Sequence, residues 1–142
     1  MLLLATLVLL GPVLATSIKW AGASSVCLES FRLGDKDTMV VEGCGTGPEQ
    51  QFELSRGPTR VKMAGKDLCL DAGDAPVDGQ LLAFQACERR RPAQRWWFTD
   101  DGRIALEGQG LCVDLPNGNG ENLTGVQVWT CSDGNGNQEW TV

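Results

Sequence analysis

The sequence predicts an all-β chain built from three copies of one four-stranded unit, and three observations carry that prediction. Six cysteines fall in pairs, Cys27 and Cys44, Cys69 and Cys87, Cys112 and Cys131, and the first member recurs after 42 and then 43 residues. Gln50, Gln94 and Gln138 lie 44 residues apart, each followed two positions later by an aromatic side chain: Phe52, Trp96 and Trp140. Between these landmarks run short apolar segments punctuated by Gly, Asn and Asp, with no stretch of helical period.

Each copy opens on a short strand, a Gly-containing turn and a second strand that holds the first cysteine: IKWAGASSVCLES, VKMAGKDLCLDA and IALEGQGLCVDL. A polar loop then leads to a third strand, MVVEGC, LLAFQAC or VQVWTC, and a fourth begins at the Gln. A propeller assembled from such units needs at least about four blades to close a ring. Three copies instead predict a β-trefoil, a closed barrel capped by three hairpins, with repeats at about 18–58, 59–101 and 102–142.

The first stretch, MLLLATLVLLGPVLA, has no charged side chain and an apolar run too short to span a bilayer. Small residues at Val13 and Ala15 suit a signal peptidase, so residues 1–15 read as a secretory signal and residues 16–142 as the mature domain. Six cysteines in a secreted, extracellular chain predict disulfides. Both cysteines recur at equivalent places, so one bridge geometry serves three times: Cys27 with Cys44, Cys69 with Cys87, Cys112 with Cys131. With no His and no Cys-x-x-Cys, a zinc site has little to build on, and no metal or other cofactor is expected. A net charge of −6 argues against nucleic acid or an anionic membrane as partner.

The repeated aromatics Phe52, Trp96 and Trp140 are expected in the core, with the neighbouring amide bonding local backbone. On the third strands, alternation puts Met39 and Val41, Leu82 and Phe84, Val126 and Val128 on the buried face. The opposite phase holds Val40 and Glu42, Ala83 and Gln85, Gln127 and Trp129, so Trp129 points away from the core.

Gln-x-Trp repeated at this spacing, preceded by Cys-Leu/Val-Asp and a second Cys, resembles the ricin B-chain type of lectin domain, the family 13 carbohydrate-binding modules. The resemblance covers residues 18–142, and the second and third copies look most like short secreted fungal members. The first copy departs, with Glu29 for Asp and Phe52 for Trp. The resemblance implies a sugar site made by the Asp after the first Cys, two side chains of the third strand, and the Asn-Gln of the last motif. The third copy supplies all of them: Asp114, Gln127, Trp129, Asn137 and Gln138. The second keeps Asp71 and Gln94 but has Ala83, Gln85 and Ala93, and the first has Glu29, Val40, Glu42 and Glu49. One intact site is therefore expected.

These residue types suit a glycan ligand. A carboxylate accepts from two adjacent hydroxyls, an Asn amide donates and accepts, and an indole covers the C–H patch of a pyranose. An axial 4-hydroxyl clears one face for such stacking, and the resemblance also points to galactose, N-acetylgalactosamine or related glycans, with xylan-type polysaccharides open. A glycosidase would need two carboxylates across one cleft, whereas Asp71 and Asp114 sit in different repeats. The chain is read as a binding protein and not an enzyme, the alternative being a trefoil protease inhibitor or another interaction protein. Asn122 in NLT is a glycosylation acceptor, DGNGNQE is a turn rather than a calcium loop, and Arg89, Arg90 and Arg91 read as a solvated cluster.

Overall fold

The computed structural model describes residues 13–142, so the leader expected over residues 1–15 lies outside the described residues except for its last three. The first repeat carries β1 (Lys19–Trp20), β2 (Val26–Leu33), β3 (Lys36–Gly43) and β4 (Phe52–Glu53), followed by an extra short strand, β5 (Gly57–Thr59). The second carries β6 (Lys62–Met63), β7 (Leu68–Asp71), β8 (Ala83–Ala86) and β9 (Trp96–Phe98). The third carries β10 (Ile104–Leu106), β11 (Leu111–Asp114), β12 (Gln127–Thr130) and β13 (Trp140–Thr141). The fold is an all-β trefoil.

The barrel is made by pairing the last strand of each repeat with the first strand of the next. Phe52 stands opposite Met63, Trp96 opposite Leu106, and Trp140 opposite Trp20, the last pair closing the ring between β13 and β1. Phe52, Trp96 and Trp140 are fully buried there. The Trp96 indole N–H donates to the Leu70 carbonyl and that of Trp140 to the Val113 carbonyl, each at 3.0 Å, so neither polar atom is left dry. Phe52 has no donor and instead stacks on Phe84 at 6.0 Å. Removing one such indole from water contributes about 4–6 kcal/mol as an upper bound.

The second and third strands form the cap hairpins β2–β3, β7–β8 and β11–β12. The hairpins of the cap are joined pairwise: Asp37 and Thr38 pair with Phe84 and Ala83, Val40 with Gly125, and Leu81 with Gln127. In the first repeat the expected polar loop is replaced by a turn between Leu33 and Lys36, which face each other, with Gly34 at φ +64°. The residues spared extend both strands to eight. Val40 lies on the outward phase yet is 5% exposed, because it pairs against Gly125.

A disulfide staples the base of each hairpin: Cys27–Cys44, Cys69–Cys87 and Cys112–Cys131, with Cα separations of 5.0, 5.0 and 5.1 Å. By the chain-entropy account each contributes about 3 kcal/mol.

Candidate functional site

One polar device recurs in every repeat. Proline or glycine opens a single 3-10 turn, Pro48–Gln50, Pro92–Gln94 or Gly136–Gln138, whose last residue is the repeated glutamine. The amide of Gln138 is wholly committed: its oxygen accepts from the Ser132 N–H, and its nitrogen donates to the Thr130 carbonyl and to Asp114 Oδ2, each at 3.0 Å. Gln94 does the same between Glu88, Ala86 and Asp71, and Gln50 between Gly45, Gly43 and Glu29. The glutamine thus locks the acidic residue after the first cysteine to the chain flanking the second. Buried amides left without these partners would each cost about 1–3 kcal/mol.

In the third repeat the locked carboxylate, itself only 3% exposed, forms part of the wall of a cavity of about 280 Å³. Asp114, Gln127, Trp129 and Asn137 line it, and Gln138 does not. Gln138 is fully buried behind Asp114, so its part is to position the carboxylate rather than to meet a ligand. Gln127 stands opposite Asp114 in the β11–β12 register, which brings its Nε2 to 2.9 Å from Asp114 Oδ1. Each carboxylate oxygen therefore receives one neutral amide and keeps lone-pair capacity for a ligand. Trp129, 44% exposed, stands opposite Cys112 and forms an apolar wall.

Pro116, Asn117 and Asn135 complete the lining, and the repeat pattern did not single them out. The signal for Asn117 lay in Pro-Asn-Gly: Asn117 adopts φ 57°, a left-handed conformation that Asn tolerates, and this turns the loop over the cavity. Asn135 caps the last 3-10 turn by accepting from the Asn137 N–H at 3.1 Å. Two supports come from other repeats. The Trp20 indole N–H donates to the Gly136 carbonyl at 2.8 Å, and its ring packs beside Gly118 and Gly120, 3.6 and 3.7 Å from where a Cβ on each would stand, so it braces both loops. Asp78 of the second repeat accepts from the Thr130 N–H at 2.6 Å and from its hydroxyl, fixing the strand beside Trp129.

The second repeat is occupied from within. Arg91 Nη2 donates to Asp71 Oδ1 at 3.1 Å, Nε donates to Oδ2, and the Gly73 N–H adds a bond at 2.8 Å. Arg91 is thus no part of a solvated cluster, unlike the exposed Arg89 and Arg90: a carboxylate among neutral groups at the base of a hairpin draws in the nearest cation. Burial pushes the Asp71 carboxyl up, but the bonds from Arg91, Gly73 and Gln94 outweigh it and hold the group below the usual carboxylate range. In the first repeat Glu42 stands opposite Cys27, the place of Trp129, and its Oε2 is buried with no partner among the described residues. No apolar wall exists at that place, and Glu49 replaces the amide of Asn137. Among the described residues no cluster of His, Cys, Asp or Glu is arranged to hold a metal ion.

Asn122 lies in an exposed turn and its Oδ1 accepts from the Gly43 N–H at 3.0 Å, away from the lining of the polar cavity.

The model of the ricin-type beta-trefoil lectin domain matches residues 15–140. Beta-galactoside-specific lectin 3 of Viscum album is 27% identical over 121 residues, which cover 84% of this chain and 20% of that protein. The chain therefore spans about a fifth of the length of that curated relative. Among solved structures, the designed three-fold symmetric protein ThreeFoil superposes with a TM-score of 0.77 at 19% identity, covering 87% of this chain and 94% of the other. The ricin B-like lectin of Macrolepiota procera, solved in complex with lactose, superposes with a TM-score of 0.73 at 19% identity over 92% and 95%.

Proposed function

Because the chain belongs to the ricin-type β-trefoil lectin domain family, we propose that it binds glycans ending in galactose, N-acetylgalactosamine or a related sugar, through one cavity in the third repeat and without catalysis. The observation that carries this reading is the contrast between two equivalent carboxylates. Asp114 meets two neutral amides and an open cavity, whereas Asp71 is already bound by Arg91.

In the proposed complex the free lone pairs of Asp114 accept from two neighbouring hydroxyls, and the Asn137 amide returns a donor to one of them. The Trp129 ring covers the apolar face of the pyranose. Such a shallow site makes few contacts, so a single sugar binds weakly and one molecule does not cross-link cells. Asp114 is the one carboxylate among the described residues lining the cavity, while glycoside hydrolysis requires a pair about 5–10 Å apart. The galactoside preference draws support from the Viscum lectin's specificity and from the lactose held by the Macrolepiota lectin. Secretion, three disulfides and a glycan on Asn122 belong to the same extracellular reading.

Titration calorimetry with galactosides tests the proposal. The expected stoichiometry is one, with Asp114→Ala losing more than about tenfold in affinity and Asp71→Ala little. A stoichiometry near two, or equal losses from the two substitutions, would overturn it.

A further inference from the structure

Leu33, Leu81 and Leu123 are 64%, 58% and 54% exposed, yet they do not lie scattered. Together with Phe31, Val40 and Gly125 they line a second cavity, of about 370 Å³, on the outward side of the cap. Its size falls within the range of small-molecule sites, about 300–1,000 Å³. Three exposed leucines converging on one cavity make an apolar patch of the kind that marks a binding surface. Leu123 is also held at φ 66°, which a bulky side chain adopts only under constraint. Its N–H donates to the Val41 carbonyl at 2.9 Å, so the backbone keeps this leucine presented at the rim.

This cavity adjoins the polar one. Leu81 and Gln127 are antiparallel bridge partners, so their side chains project from the same face. Gln127 lines the polar cavity and Leu81 the apolar one. Gly125, two residues before Gln127 and on the same face, lies about 7 Å along the chain. The absence of a side chain there lets Leu81 pack directly over it: a Cβ on Gly125 would fall 3.1 Å from Leu81 Cδ2. The Cα atoms of bridge partners such as Leu81 and Gln127 stand about 4.5–5.5 Å apart, so the apolar cavity begins one strand's width from Gln127.

We infer that the cavity bounded by Leu33, Leu81 and Leu123 receives the alkyl chain of a glycolipid whose sugar occupies the adjoining cavity of Asp114 and Trp129. The inference rests on the sugar-binding reading proposed above and adds the ligand class: a sugar carrying a hydrocarbon aglycone, not a free sugar. The two cavities share no lining residue but adjoin through the paired Leu81 and Gln127, and that adjacency is the ground for this occupant rather than a second copy of the chain.

The test compares methyl and octyl β-galactoside by calorimetry on the deglycosylated mature chain, with the octyl glycoside below its micelle-forming concentration. The octyl compound is expected to bind at least about tenfold more tightly, since burying two methylene groups suffices for that gain. In Leu33→Asn and Leu123→Asn, which keep the polar cavity, the advantage should shrink to less than about threefold while methyl galactoside binding holds. Asn also accepts the left-handed conformation at residue 123, which guards that variant against misfolding. Equal affinity for the two glycosides, or an advantage that survives both substitutions, would overturn the inference and leave the sugar site standing. Binding of neither glycoside would remove the sugar reading and this one with it. A dimer by sedimentation that octyl galactoside leaves intact would show the patch covered by a second copy and overturn the inference.

Discussion

The guanidinium of Arg91 holds the carboxylate of Asp71 with two nitrogens and reaches Asp74 with a third at 2.9 Å. A group from the same chain thus fills the place that lies open at Asp114. Asp71→Asn should lower stability by about 2 kcal/mol at neutral pH, because Arg91 and Gln94 lose a charged acceptor. The Asp71 carboxyl is held below its ordinary value by the bonds from Arg91, Gly73 and Gln94. Its contribution is therefore complete above that value and is lost as pH falls through the depressed one. Thermal melts from neutral to strongly acid pH should show the gap between wild type and Asp71→Asn closing on acidification. A gap independent of pH would contradict the assignment.

Gln94 and Gln138 make the same three bonds, so Gln94→Ala and Gln138→Ala should each cost about 2 kcal/mol of stability. They should separate on sugar binding. Gln138→Ala frees the Asp114 carboxylate to rotate and is expected to lose about tenfold in affinity, whereas Gln94→Ala acts on a carboxylate closed by Arg91. Calorimetry beside thermal melts measures both.

Trp20 lies outside the cavity lining but bonds Gly136. Trp20→Phe removes the N–H and shortens the ring that packs beside Gly118 and Gly120. Galactoside affinity should fall about threefold with unchanged stoichiometry, as expected when a neutral bond of about 1 kcal/mol no longer fixes a loop. An unaltered binding isotherm would show that the loop holds its place without this brace.

The disulfides give a further comparison. Replacing Cys112 and Cys131 by Ser, or Cys27 and Cys44 by Ser, should cost about 3 kcal/mol in either case. Only the first pair lies on the hairpin that carries Asp114, Gln127 and Trp129. Its removal should weaken sugar binding well beyond the effect of removing the other, with melts and calorimetry as the measurements.

Much of the candidate site was legible because it hangs on strands. Strand alternation sends Trp129 outward, as its exposure shows, while Asp114 and Gln127 were implied by the family resemblance, and the register sets them opposite each other. Gln138 reads in the sequence as a ligand contact, yet burial and three internal bonds withhold it. Arg91 reads as solvated because its partner is 20 residues away. Loop residues such as Asn117 and Asn135 carry no period, so no repeat announces them.

The sequence by itself determined the three-fold repeat, the all-β class, the aromatic core positions and the inequality of the three copies. Each of these depends on local spacing, which a strand reports at every second residue. The tertiary structure alone decided which carboxylate is open and which is closed, which amide faces the cavity, and that Trp20 and Asp78 from other repeats hold the third site in shape. It also decided that Leu33, Leu81 and Leu123 meet at one cavity beside Gln127. These are contacts between segments far apart in the chain, fixed by closing the barrel and joining the hairpins of the cap, and no local pattern encodes them.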